Sequence, residues 1–129
     1  MNPESCKLLK DAAAWRLLGM LLECPSGDWK KTVTGLADEL DDPRFKAVVA
    51  AIGDDGTESL YHTTLGPGGP AAPREVSYHI TTLLPGQLLG ELQSYYKAFA
   101  YESSLHEAPD HVAVEVGFVS YLRLKHACA

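Results

Sequence analysis

The segment Glu107-Ala108-Pro109-Asp110-His111, with Glu115 one turn further on, gathers carboxylates and an imidazole within nine residues. Such a set can do acid–base chemistry, ligate a metal, or hold a guanidinium by charge-assisted hydrogen bonds. Pro109 suits the first position of a helix, where its missing N–H is no loss. Asp110 then falls in the first turn, where the helix dipole favours negative charge. His111 and Glu115, four apart, share a face.

The first two chemistries lack support. Adjacent helical residues point about 100° apart, so Asp110 and His111 do not orient one another as a dyad. Ser77, Ser103 and Ser104 sit in no nucleophile-elbow pattern, and no cysteine has neighbours that would activate it. His106, His111 and His126 with Glu107, Asp110 and Glu115 match no metal-binding helix spacing. The stretch Gly66-Pro67-Gly68-Gly69-Pro70-Ala71-Ala72-Pro73 lacks the ending of a phosphate loop, and its prolines remove N–H donors. It reads as a stiff connector presenting its flanks to a groove. No enzyme activity, metal or cofactor is therefore expected. Peptide binding remains: an acidic helix mouth (Asp110, with Glu75 and Glu107 nearby) for guanidinium, and Tyr61, Tyr78 and leucine-rich faces for an apolar segment.

The elements that must position these residues read as helices. Asn2-Pro3-Glu4 starts the first, whose apolar residues from Leu8 to Leu22 cover more than one face and predict a central, largely buried helix. Cys24-Pro25-Ser26-Gly27 ends it. Asp28 caps a second helix through Leu36 and Leu40. Asp42-Pro43 opens a third, with Phe45, Val48, Val49 and Ile52 on one side and Gly53 as its stop. Thr57-Glu58 begins a fourth carrying Leu60, Tyr61 and Leu65. Val76 to Thr82 has strand-like residues but no partner strand, and is assigned as a turn or short helix. Helical spacing resumes from Pro85 through Leu88, Leu92, Tyr96 and Phe99, and again from Pro109 to about Ala127. The fold class is all-α.

The 129 residues form one expected domain, 1–129, with an apolar share of 46% and a charged share of 22%, both ordinary for a globular protein. A net charge of −6 argues against nucleic acid or anionic membrane as partner and is compatible with a basic peptide. No apolar run reaches the roughly 18 residues that span a bilayer, and no export signal opens the chain, so a cytoplasmic location is expected. Cys6, Cys24 and Cys128 form no pattern of a disulfide framework or zinc knuckle.

Two stretches resemble a known family. Tyr61 to Pro70, leading to Pro73-Arg74-Glu75-Val76-Ser77-Tyr78, resembles the "Y-x-x-LF-x-GP…P-x-x-S-x-Y" segment of the TorD/DmsD family of redox-enzyme maturation chaperones. Glu107 to Phe118 resembles its "E-x-PDHL-x-x-EL-x-F-M" motif. The likeness runs from about Leu8 to Leu124, with the first 55 residues matching mainly in pattern. It implies an all-helical bundle of the TorD/DmsD type acting as a cytoplasmic chaperone. Its partner would be the twin-arginine leader and apoprotein of a molybdopterin oxidoreductase, retained from export until its cofactor is inserted. By this resemblance the leader-binding residues would be Asp110, His111 and Glu115, with Tyr61 and the facing Pro73, Glu75, Ser77 and Tyr78. Asp110 would contact the leader's arginines and Tyr78 its apolar stretch.

Gly66 stands where the family often has phenylalanine, and Arg74 where some members carry an aromatic. A cation at Arg74 would oppose a leader's arginines unless Glu75 neutralises it. Gly117 and Val119 flank Phe118 in place of Glu and Met. The chain ends at Ala129 where family members continue with further helices, so an uncovered apolar face and a homodimer or domain-swapped oligomer are expected. The alternatives are a structural or assembly subunit of an oxidoreductase complex, and a His/Glu metal-binding protein.

Overall fold

The computed structural model describes residues 2–54, 56–79 and 84–129. Over these residues six α-helices and one 3₁₀ turn follow in order: α1 (Pro3–Leu21), α2 (Trp29–Leu40), α3 (Pro43–Ile52), α4 (Glu58–Leu65), the 3₁₀ turn (Glu75–Tyr78), α5 (Pro85–Ala98) and α6 (Val112–Cys128). The all-α expectation holds. The segment from Val76 to Thr82 resolves into the 3₁₀ turn as far as Tyr78, and Ile80 to Leu83 lie outside the described residues.

Local signals explain most of the helix starts. Asn2 accepts the Ser5 N–H at 2.8 Å, Asp42 the Arg44 N–H at 2.9 Å and Thr57 the Leu60 N–H at 3.1 Å. Each satisfies a donor that the helix leaves open. Proline occupies the start of α1, α3 and α5. Asp28 precedes α2 but makes no capping bond with its side chain. Gly53, at φ 52°, ends α3 in a backbone conformation glycine adopts without strain.

The core is built on α1. Its second half buries Leu17, Gly19 and Met20, while Trp15 and Arg16 face solvent. Only this half is largely buried, where the apolar pattern predicts a helix largely buried overall. One side packs on α6, its most extensive partner. Gly19 lies in this contact, where a Cβ would meet Val116 Cγ1 at 3.5 Å and the Ala113 carbonyl oxygen at 3.6 Å, ordinary packing distances. The buried Ser120 hydroxyl of α6 donates to the Ala12 carbonyl at 2.7 Å, a long-range tie between the two helices. On the other side Leu17 and Met20 pack with Trp29, Val33 and Ala37 of α2, and Phe45, Val49 and Ile52 of α3 close over them. The Trp29 indole N–H finds its partner in the Met20 carbonyl, at 2.7 Å.

Helix α5 is held by aromatics. Tyr96 and Phe118 meet edge to face at 4.9 Å between ring centroids, with Tyr101 beside both. Tyr96 also donates its hydroxyl proton to the Pro109 carbonyl at 2.7 Å, which ties α5 to the approach of α6. Gly117 has a local reason here: a Cβ would stand 2.7 Å from the Tyr101 hydroxyl oxygen.

Candidate functional site

The last helix starts later than Pro109, and this shapes the site. His111 is its N-cap and Val112 its first residue. Pro109 and Asp110 belong to the turn before it, so Asp110 is not a first-turn residue facing the helix dipole. The competing force is tertiary: the backbone here is used to grip residues 73 to 76. Val112 N–H donates to the Pro73 carbonyl at 2.8 Å, and Glu75 N–H to the Asp110 carbonyl at 3.0 Å, an antiparallel bridge centred on Arg74 and His111.

The Asp110 side chain completes the clasp. It is fully buried, accepting from Arg74 Nε at 2.8 Å and from the Val76 N–H at 3.0 Å. A buried carboxylate with a cation and a backbone donor is satisfied, where an unpaired one would be costly. Asp110 therefore turns inward to its own chain, and an arginine from outside reaches it only by displacing Arg74. Arg74 is neutralised by Asp110 rather than by Glu75, the residue on which its neutralisation was made conditional.

His111 is 2% exposed and works at both ring nitrogens. Its Nδ1 accepts the Ala113 N–H at 3.0 Å, capping α6. Nδ1 being an acceptor, the neutral ring carries its proton on Nε2, which lies 2.8 Å from the Tyr61 hydroxyl and donates to it. Burial lowers the His111 pKa, against the opposing pull of Glu107 and Asp110. Burial likewise pushes the Tyr61 hydroxyl up to about 12, helped by the charge on Glu107.

These elements frame a groove of about 420 Å³. One wall is α4, through Tyr61, His62 and Leu65. Another is the Gly-Pro connector, through residues 66–69, with Ala72 and Pro73. Arg74, Ser77, Glu107 and His111 complete it. The connector packs tightly against the end of α4 at Gly66 and Gly69. A Cβ on Gly69 would meet the Thr64 carbonyl oxygen at 2.5 Å, and one on Gly66 the His62 carbonyl oxygen at 2.3 Å. The Ala71 N–H donates to the Thr64 carbonyl at 3.1 Å and folds the loop back on the end of α4.

Of the residues singled out from the sequence, Tyr61, Pro73, Ser77 and His111 come together on this wall, and Asp110 lies buried behind it. Glu75, Glu115 and Tyr78 do not line it. Tyr78 is 69% exposed and donates its hydroxyl proton to the Ala72 carbonyl at 2.8 Å. Glu75 and Glu115 form a pair of their own. Burial and the hydrogen bond with Glu75 raise Glu115 to about 8, while that bond lowers Glu75. Glu115 thus holds a proton at neutral pH and donates it to Glu75, which also lies 3.0 Å from His79 Nε2. His62 was missed as a groove residue; only proximity in the fold brings it there. The six histidine and acidic residues weighed as a metal set do not gather into a donor cluster among the described residues.

The sequence matches no protein-family model. No curated protein matches it either. Its backbone is similar to the crystal structure of a candidate redox enzyme maturation protein from Archaeoglobus fulgidus, with a TM-score of 0.70 over 86% of this chain and 70% of that one. The two are 17% identical, and at that distance the likeness shows a shared all-helical fold.

Proposed function

We propose that this chain is a cytoplasmic maturation chaperone, not an enzyme, that binds the twin-arginine leader of a molybdopterin oxidoreductase. It would hold the apoprotein for cofactor loading before export. The observation that carries this reading is the meeting of the two motif-like segments. Residues 73 to 78 and 107 to 118 join by a backbone bridge and the Arg74–Asp110 pair at the wall of one groove. The shared fold with a maturation protein supports it.

In this reading the groove takes the leader's apolar stretch against Leu65, Ala72 and Pro73, with Tyr61, Ser77 and His111 as polar contacts. Glu107, whose side chain is 36% exposed at the groove, receives a leader guanidinium. Asp110 serves as a positioning residue behind the wall. Tyr78 offers its ring to a leader running past Ser77, and the Glu75–Glu115 pair stiffens the turn from the other side. The test is capture of the tagged chain from native cytosol. Recovery of an oxidoreductase precursor with its leader attached supports the chaperone; recovery of only mature enzyme contradicts it.

A second reading, an assembly subunit of an oxidoreductase complex, is favoured by a different observation. Leu84, Tyr95, Phe99 and Leu124 are large, apolar and 44–74% exposed. The same residues favour a homodimer or swapped oligomer, which light scattering at micromolar concentration tests. A monomer contradicts it.

A further inference from the structure

Away from the two motif segments, the fold assembles a donor set that no sequence spacing announces. Glu58 and His62 stand one turn apart on α4, with Oε1 and Nε2 3.4 Å from each other. Cys24 reaches them from the connection between α1 and α2. One donor atom from each of the three lies within 4.8 Å of the others, and among the described residues no other such trio gathers as closely.

We propose that Cys24, Glu58 and His62 bind one divalent cation of the zinc class. Ligand atoms around a tetrahedral zinc are about 3.3–3.6 Å apart, given its usual bond lengths to sulphur, nitrogen and oxygen. The Glu58–His62 separation already has that value. The Glu58 and His62 side chains are 70% and 57% exposed, free to rotate the remaining distance onto the half-buried Cys24. One thiolate, one imidazole and one carboxylate form a borderline-soft set, which suits zinc and cobalt and disfavours magnesium and calcium. The surroundings are anionic as well: Glu58, Glu107 and Glu23 all place negative charge on the Cys24 sulphur, where a cation is welcome.

On binding, the Cys24 S–H bond breaks and the sulphur–metal bond forms. The proton passes to buffer, and no electron is transferred. Three protein donors leave a fourth position open to water or to a donor from a bound partner. The ion would also act mechanically. Helix α4 buries no residue of its own, yet carries Tyr61 and His62 on the groove wall. A metal bridge to Cys24 ties that wall to the end of α1.

The test is titration of the reduced, chelator-stripped chain with Co²⁺ and with Zn²⁺. One equivalent of cobalt should bind with a thiolate-to-cobalt charge-transfer band. Zinc should displace it, and zinc added to the metal-free chain should raise the melting temperature and release about one proton, the one the thiol carries. C24S should abolish the band, E58Q and H62Q should each weaken binding at least tenfold, and the C6S/C128S variant should keep it. Circular dichroism confirms that each variant is folded. The absence of saturable one-to-one binding would overturn the site, as would a band that survives C24S or depends on Cys6 or Cys128.

Discussion

Arg74 and Asp110, 36 residues apart, pair at 2.8 Å, the carboxylate fully buried and the guanidinium side chain 42% exposed. The pair joins the two segments that frame the groove. Removing Arg74 leaves a buried carboxylate with only the Val76 N–H. R74A is expected to cost about 1.5–3 kcal/mol, the range for hydrogen bonds to charged groups. The double variant R74A/D110A should lose less than the sum of the two single variants, because the charge left unpaired is gone. Urea denaturation of the three proteins checks this.

His111 caps α6 through a ring nitrogen that must stay unprotonated. Its pKa lies below the ordinary 6.5, so the unfolded chain takes up a proton first as pH falls. Stability contributed here is full above pH 6.5 and is lost as pH drops through the folded pKa. H111N, which keeps a capping side chain without a titrating ring, should flatten the acid limb of a melting-temperature profile.

Glu115 acts in the opposite sense. Its pKa is raised from 4.5 to about 8, so the native state keeps a proton that the unfolded chain has released. Stability should therefore fall as pH rises through this window. Between pH 6.5 and 8 the His111 effect is absent and the Glu115 effect stands alone. E115Q, an uncharged mimic of the protonated acid, should remove the slope there and be more stable than the parent at pH 8 and above. A parent with flat stability across that range would contradict the shared proton.

The groove wall depends on Gly69, where a Cβ would stand 2.5 Å from a backbone oxygen. G69A must push the connector off the end of α4. It should cost about 1–3 kcal/mol, as forced insertions into packed sites do, and weaken leader binding through the displaced wall. Equal stability and equal leader affinity would show that the connector is not part of the site.

Much of the fold was legible because its signals are local. Asn2-Pro3, Asp42-Pro43, Thr57 and Pro85 each mark a helix start through side-chain capping or the proline's fixed geometry, and each marks it correctly. The start of α6 was misread for the complementary reason. Pro109 and Asp110 carry good helix-start chemistry, but their backbone and side chain serve a partner segment far away in sequence. The same distance hid the Arg74–Asp110 pair and the Cys24–Glu58–His62 trio. A groove beside the Gly-Pro connector, with Tyr61 as a contact, was legible from residue types, whereas Pro73 and Ser77 joined the group only through the family resemblance, since spacing alone does not bring them to α4 and His111.

The most direct measurement of the central claim is binding of a synthetic twin-arginine leader. Its sequence would be taken from the precursor captured from native cytosol, and binding would be followed by fluorescence anisotropy. Saturable binding is predicted, at least tenfold weaker for a leader with paired lysines, because a lysine lacks the forked geometry that engages Glu107. E107Q should erase the preference while leaving the fold intact. Equal affinity for both leaders, or binding untouched by substitutions at Tyr61, Glu107 and His111, would contradict the assignment of this groove to the leader.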